Sequence, residues 1–300
     1  MDKKTIEYRL GTIEDKFPEA TSTVNLADVL KVTEFKAIMN AINKLQDYKS
    51  NRQLINIVFL NNAEIHHFFS KAFNELLQKS ISWLGVKDQD LEEIQLHCNR
   101  MLLNYLSSAR TYIDHSQHFL SARYGKDSRQ LNKFKDLLSF NFDHNFSYRF
   151  FYKLRNYSQH CGVPIQEIKY VSEYERDNHE IRGHLAAFFQ PQQLLMDYNS
   201  WGALVKADLE QMQEPLELRP LCESMTAIMY NLNVNFGRII APETHKAARY
   251  LYNKVKHLEA ENISICVFDL ALEKKGGELT NLANRPIPMS LVKELMNKND

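Results

Sequence analysis

The chain has 300 residues, 44% hydrophobic and 25% charged, enough for one large domain or two modest ones around a substantial core. Its 37 basic residues balance 37 acidic ones, so no global basic field advertises nucleic acid, and such contact would need a local patch or a few placed arginines. Nine glycines and eight prolines argue against an all-β or disordered chain. The four scattered cysteines, Cys98, Cys161, Cys222 and Cys266, form neither a zinc nor a disulfide pattern.

In chain order, Thr5 to Leu10 reads as a strand in an otherwise polar opening region. Thr33 to Leu45 reads as a helix with Phe35, Ile38, Met39, Ile42 and Leu45 on one face. The apolar run Leu54 to Leu60 suits either a short buried strand or a helix start, and Ala63 to Leu84 is helical in pattern. Leu91 to Tyr124 is the longest expected helix, its apolar residues recurring at three-four spacing from Leu91 to Ile113. A short helix follows from Arg129 to Leu138, and Asp143 is a candidate N-cap for the next one. Phe146, Phe150, Phe151 and Leu154 place that helix against a core, and Gly162 and Pro164 supply its stop. Ile165 to Tyr174 and Ile181 to Phe189 read as a β-hairpin turning around Arg176-Asp177-Asn178. Helix then resumes from Gln193 to Ala260, with breaks expected near Pro215–Pro220 and at Pro242. Ile263 to Leu272 is a strand, Lys274 to Gly277 a turn, and Ser290 to Met296 a closing helix. The expected fold is mainly α, one domain over 1–300. It comprises an N-terminal region (1–60), a helical core (61–162), a β-hairpin insertion (163–190), further helices (191–262), and a strand with a short helix (263–300).

The most informative stretch is Arg155-Asn156-Tyr157-Ser158-Gln159-His160, at the end of the helix that begins near Phe146. Asn156 and His160 are four apart, so the amide can orient the imidazole. Arg155 lies about 140° around the axis from His160, but its long stem can bend toward the same pocket. A guanidinium that holds phosphate oxygens beside a histidine that moves protons is a minimal kit for cleaving RNA without a metal. The plainer reading is that Arg155 and His160 cap the last carbonyls of the helix or pair with acidic neighbours.

Arg110 to His115 repeats the arginine–histidine spacing midway along the long helix. Packed against the motif helix, Arg110 and His115 would line the same cleft, with Arg110 as a second phosphate contact. Asp114, His115 and His118 could instead ligate a metal, or form a polar network between helices. His66 and His67 are adjacent and so face different ways, one packed and one solvated. Phe146, Tyr148, Phe150, Phe151, Tyr152 and Tyr157 crowd the motif helix as core or as base-stacking groups. No P-loop, Gly-x-Gly-x-x-Gly, Gly-x-Ser-x-Gly or His-Glu-x-x-His motif is present. Met1-Asp2-Lys3-Lys4 lacks the apolar core of a signal peptide, and no apolar run reaches the roughly 18 residues of a span, so a cytoplasmic protein without membrane contact is expected.

The Arg-Asn-x3-His element resembles the signature of the HEPN superfamily of all-α ribonucleases and nucleotide-binding proteins. That resemblance implies a HEPN-like helical bundle with a small β-hairpin elaboration after the motif helix. It implies a metal-independent endoribonuclease acting on single-stranded RNA or tRNA loops, with neither metal nor cofactor. Arg155 would neutralise the scissile phosphate, His160 would act as general acid–base, and Asn156 would orient His160 or the phosphate. Arg110, His115 and Tyr157 are candidate substrate contacts. The family further implies a homodimer with a composite site, and a place in toxin–antitoxin or antiviral systems. The rival is a non-catalytic HEPN-like adaptor or antitoxin-type partner that binds RNA, a nucleotide or a regulatory protein.

Overall fold

The computed structural model describes residues 5–16, 21–82, 85–175, 180–272 and 279–297. In chain order these form β1 (Thr5–Lys16), β2 (Thr21–Leu30), α1 (Val32–Ile81), α2 (Asp88–Tyr124), α3 (Arg129–His144) and α4 (Phe146–His160). There follow β3 (Glu167–Glu175), β4 (Glu180–Phe189), α5 (Pro191–Asp197), α6 (Ala203–Gln211), β5 (Leu216–Glu217) and α7 (Leu218–Val255). The last elements are β6 (Ile263–Leu272), β7 (Leu279–Pro286) and α8 (Met289–Asn297). The fold is mainly helical with two small antiparallel sheets. The structure groups the chain into two compact units, Met1–Ser50 with Arg238–Asp300, and Asn51–Gly237.

In the first unit the strands run in the order β2-β1-β6-β7. Strand β6 is covered on both faces because its side chains alternate. Ile265 and Val267 enter a core with Leu10, Ile42, Leu251 and Leu295, while Cys266, Phe268 and Leu270 form a smaller cluster with Ile13 and Leu282. Gly11 is required where β1 passes under this cluster. A Cβ there would stand 2.3 Å from the Asn25 carbonyl oxygen and 3.0 Å from the Phe268 ring. The β1–β2 register shifts at this point, between Arg9 and Gly11.

The second unit carries the motif helix. Helices α2, α3 and α4 pack on one another, α4 meets α6, and β3, β4 and β5 form the second sheet. Helix α4 buries Ser147, Phe150, Phe151, Leu154 and Tyr157, one stripe at three-four spacing. Phe150 and Tyr157 stack on Trp201 with ring centroids 6.0 and 5.7 Å apart, and Phe189 closes edge-on against Phe150. Arg149 donates to both carboxylate oxygens of Asp208 on α6, at 2.6 and 2.9 Å. It also donates to the carbonyls of Phe142 and Asp143 in the last turn of α3.

Several expectations need correction. Leu54 to Leu60 is the interior of a 50-residue helix, α1, where Ile55, Val58, Ile65, Phe69, Ala72 and Leu76 repeat the helical period. Helices α1 and α7 are both longer than α2, with 50 and 38 residues against 37. Pro242 lies inside α7 without ending it, although such a proline costs about 3 kcal/mol; burial of Ile240, Ala247, Ala248 and Leu251 on the same helix offsets that cost. Asp143 does not cap α4. Helix α3 runs on to His144, leaving Asn145 as the N-cap, and that amide bonds to Asn141 instead. The β content exceeds a single hairpin because β2 and β7, too polar to read as strands, pair at the two edges of the four-stranded sheet. The expected turns at Arg176–Asn178 and Lys274–Gly277 lie outside the described residues.

Candidate functional site

The Arg-Asn-x3-His element occupies the last two turns of α4. The helix ends where expected: Cys161 N–H bonds to the Tyr157 carbonyl at 2.8 Å, and Gly162 follows with φ 151°. The exit is then latched by a residue that the sequence did not single out. Buried Asn99 on α2 accepts the Ile165 N–H at 3.0 Å and donates to the Ile165 carbonyl at 3.1 Å, and Gln95 adds a bond of 2.9 Å to that carbonyl. An isolated Asn inside a helical pattern carries no signal that it clamps a loop 66 residues away.

Arg155 is half-buried. One guanidinium nitrogen donates to Gln159 Oε1 at 3.3 Å, and its buried Nε has no hydrogen-bond partner among the described residues. It walls a small cavity with Arg110, Tyr105, Tyr148, Tyr152 and Met225 among others. The cavity measures about 20 Å³, room for roughly one water molecule. Arg110 reaches this wall from α2, so the two arginines of the doubled spacing share one pocket. Arg110 Nε bonds to Asp114 at 2.8 Å, and its guanidinium lies 4.9 Å from the centre of the Tyr152 ring. Burial works against the Arg110 charge, but Tyr152 and Asp114 outweigh it and raise its pKa above the ordinary arginine value.

The histidines behave differently. His160 and His115 are exposed, neither has a hydrogen-bond partner among the described residues, and neither walls the Arg110–Arg155 cavity. Asn156 is half-buried and makes no hydrogen bond to His160. Tyr157 is buried in the core: its hydroxyl donates to Asp197 at 3.0 Å, and its ring stacks on Trp201. Burial first, and the Asp197 carboxylate second, push the Tyr157 phenol up to about 12. Asp114 is engaged by Arg110, and among the described residues no three metal-type side chains converge. His66 is half-buried with Glu223 3.7 Å away, and His67 is exposed.

A protein-family scan, a search of curated proteins and a search of solved structures each find no match for this chain. The site therefore rests on its own geometry.

An open groove adjoins the Arg155 cavity, with Arg110, Ile113, Tyr148 and Tyr152 belonging to both walls. It measures about 510 Å³, and Gln117, Lys135, Leu138, Ser139, Phe142 and Lys153 complete its lining. Among the described residues three cations and no carboxylate line it. Lys135 and Lys153 carry no sequence signal, because they stand on different helices with no common spacing. Among the described residues no helix is long and apolar enough to cross a membrane.

Proposed function

We propose that this chain is a metal-independent endoribonuclease of the HEPN type, acting on single-stranded RNA or tRNA loops. The observation that carries this reading is the convergence of Arg110 and Arg155 on one cavity, with His160 exposed at the end of the helix that bears Arg155. Two guanidiniums at one wall suit a phosphodiester, whose oxygens they can bind in pairs. In the reaction the ribose 2′-oxygen attacks phosphorus as its proton leaves, and the P–O5′ bond breaks as the 5′-oxygen gains a proton. The products are a 2′,3′-cyclic phosphate and a 5′-hydroxyl, with no water consumed. His160 would move the protons, Arg155 would hold the developing charge on phosphorus oxygens, and Asn156 would orient either. A homodimer would bring a second copy's motif to the exposed His160 and supply the partner that it lacks among the described residues. Such an enzyme would suit a cytoplasmic toxin or antiviral-defence effector, restrained by an antitoxin or regulatory protein.

One observation favours a second reading, a non-catalytic adaptor that binds RNA or a nucleotide. The Asn156 amide does not reach His160, so no group among the described residues orients the imidazole. Induced expression separates the two readings. Growth arrest that His160→Ala relieves, at equal protein level, is the outcome expected of the nuclease. Arrest unchanged by His160→Ala, or harmless expression of wild type with a co-purifying protein, would favour the adaptor.

A further inference from the structure

We propose that the open groove between α2, α3 and α4 is a binding track for single-stranded RNA leading to the Arg155 cavity. This rests on the chain acting on RNA, but not on its cleaving it. Three features of the groove support the assignment. The first is charge. Lys135 and Lys153 line it from α3 and α4, and neither forms an ion pair among the described residues, whereas Arg110 is already shared with Asp114. A chain with no net charge has thus gathered two uncompensated cations into one depression that no carboxylate lines.

The second feature is aromatic. Tyr152 remains 37% exposed at the groove wall, held by Arg110 at 4.9 Å from its ring centre and by Phe142 edge-on at 5.7 Å. A ring fixed in this way offers a stacking platform with little conformational entropy left to lose. Basic side chains tracking a backbone beside aromatic rings that take bases are the combination by which proteins hold single strands without reading sequence. The third feature is position and size. A volume of about 510 Å³ falls in the range of sites that enclose a small organic ligand, as one nucleotide is. The groove shares Arg110, Tyr148 and Tyr152 with the cavity of Arg155, so a strand lying in it approaches the proposed reacting phosphate. Lys135 and Lys153 would hold flanking phosphates, and Tyr152 would stack a flanking base.

Fluorescence anisotropy with an end-labelled 2′-O-methyl oligoribonucleotide tests this, because that strand binds but cannot be cut. Lys135→Ala with Lys153→Ala, at unchanged unfolding temperature, is expected to weaken binding by at least about tenfold at low salt. Losing two phosphate contacts should reduce the slope of log affinity against log salt by about 1.4. Tyr152→Ala should weaken binding by at least about fivefold while Tyr152→Phe stays within about twofold, since only the first removes the stacking ring. Lys71→Ala with Lys206→Ala removes two exposed, already paired cations and should leave affinity unchanged. Wild type that does not bind the strand, or a double lysine variant that binds as wild type does, overturns the proposal. So does polyglutamate binding as tightly as the RNA with no dependence on Tyr152, which would assign the groove to an acidic protein. Groove-dependent binding without any RNA cleavage would sink the nuclease reading and leave the groove standing. Cleavage with binding indifferent to the groove would do the reverse.

Discussion

Arg149 is held on all sides by protein, whereas Arg155, on the same helix, has a single long bond to Gln159. Arg149 stitches α4 to α6 through Asp208 and to α3 through two carbonyls, so its charge is consumed by the fold. Arg155 reaches a cavity with no carboxylate partner among the described residues, and its charge remains available to a ligand. Residue type and helix are the same; the difference lies in what the neighbouring helices present. Around Arg149 they present a carboxylate and the last carbonyls of α3, and around Arg155 another arginine and aromatic rings. The first half of α4 is therefore structural, and the second half carries the candidate chemistry.

Substitutions can break or sharpen that contrast. Arg149→Met should be the most damaging to stability, by about 3 kcal/mol, because it leaves the mostly buried Asp208 carboxylate without its partner. Chemical denaturation would show this, and the double change with Asp208→Leu should recover much of the loss. Asn99→Ala should cost about 2 kcal/mol by stranding the Ile165 amide and carbonyl. Tyr157→Phe should cost about 1 kcal/mol, the bond to Asp197.

The tyrosines also set an alkaline limit. Burial raises the phenols of Tyr105, Tyr112, Tyr148 and Tyr157, the last to about 12 with help from Asp197. Tyrosines of the unfolded chain titrate near about 10, so there the folded state binds more protons. Stability is full below about pH 10 and falls as pH rises towards 12, which melting curves across that range would display. Gln159→Ala marks the small end of the scale. It should change stability by under about 0.5 kcal/mol and cleavage by no more than about twofold, since it removes one exposed side chain.

How far the sequence discloses these halves depends on the range of the interactions. The stripe Phe146, Phe150, Phe151, Leu154 and the stop at Gly162 are local, and helix α4 lies where they place it. The hairpin β3–β4 and strands β1 and β6 were legible from β-branched, apolar runs. Strands β2 and β7 were not, because edge strands bury little and their composition is polar. Arg155 and Arg110 carried a spacing that could be read, and packing of α2 on α4 brings them to one cavity. Tyr157 belongs to an aromatic stripe that sequence alone leaves open between base stacking and core, and two helical positions beyond Arg155 turn it into the core against Trp201. The roles of Asn99, Arg149, Lys135 and Lys153 depend on partners far along the chain or on other helices. No local pattern announces such partners.

The most direct test of the contrast is cleavage of RNA in EDTA, with end-group analysis of the products. It would compare wild type, Arg155→Ala, His160→Ala and Lys206→Ala, each checked for folding by circular dichroism. Wild type and Lys206→Ala should leave 2′,3′-cyclic phosphate and 5′-hydroxyl ends. Arg155→Ala and His160→Ala should each slow cleavage by at least about 100-fold with the fold intact. Cleavage that survives both changes would make the second half of α4 as structural as the first and contradict the assignment of its chemistry.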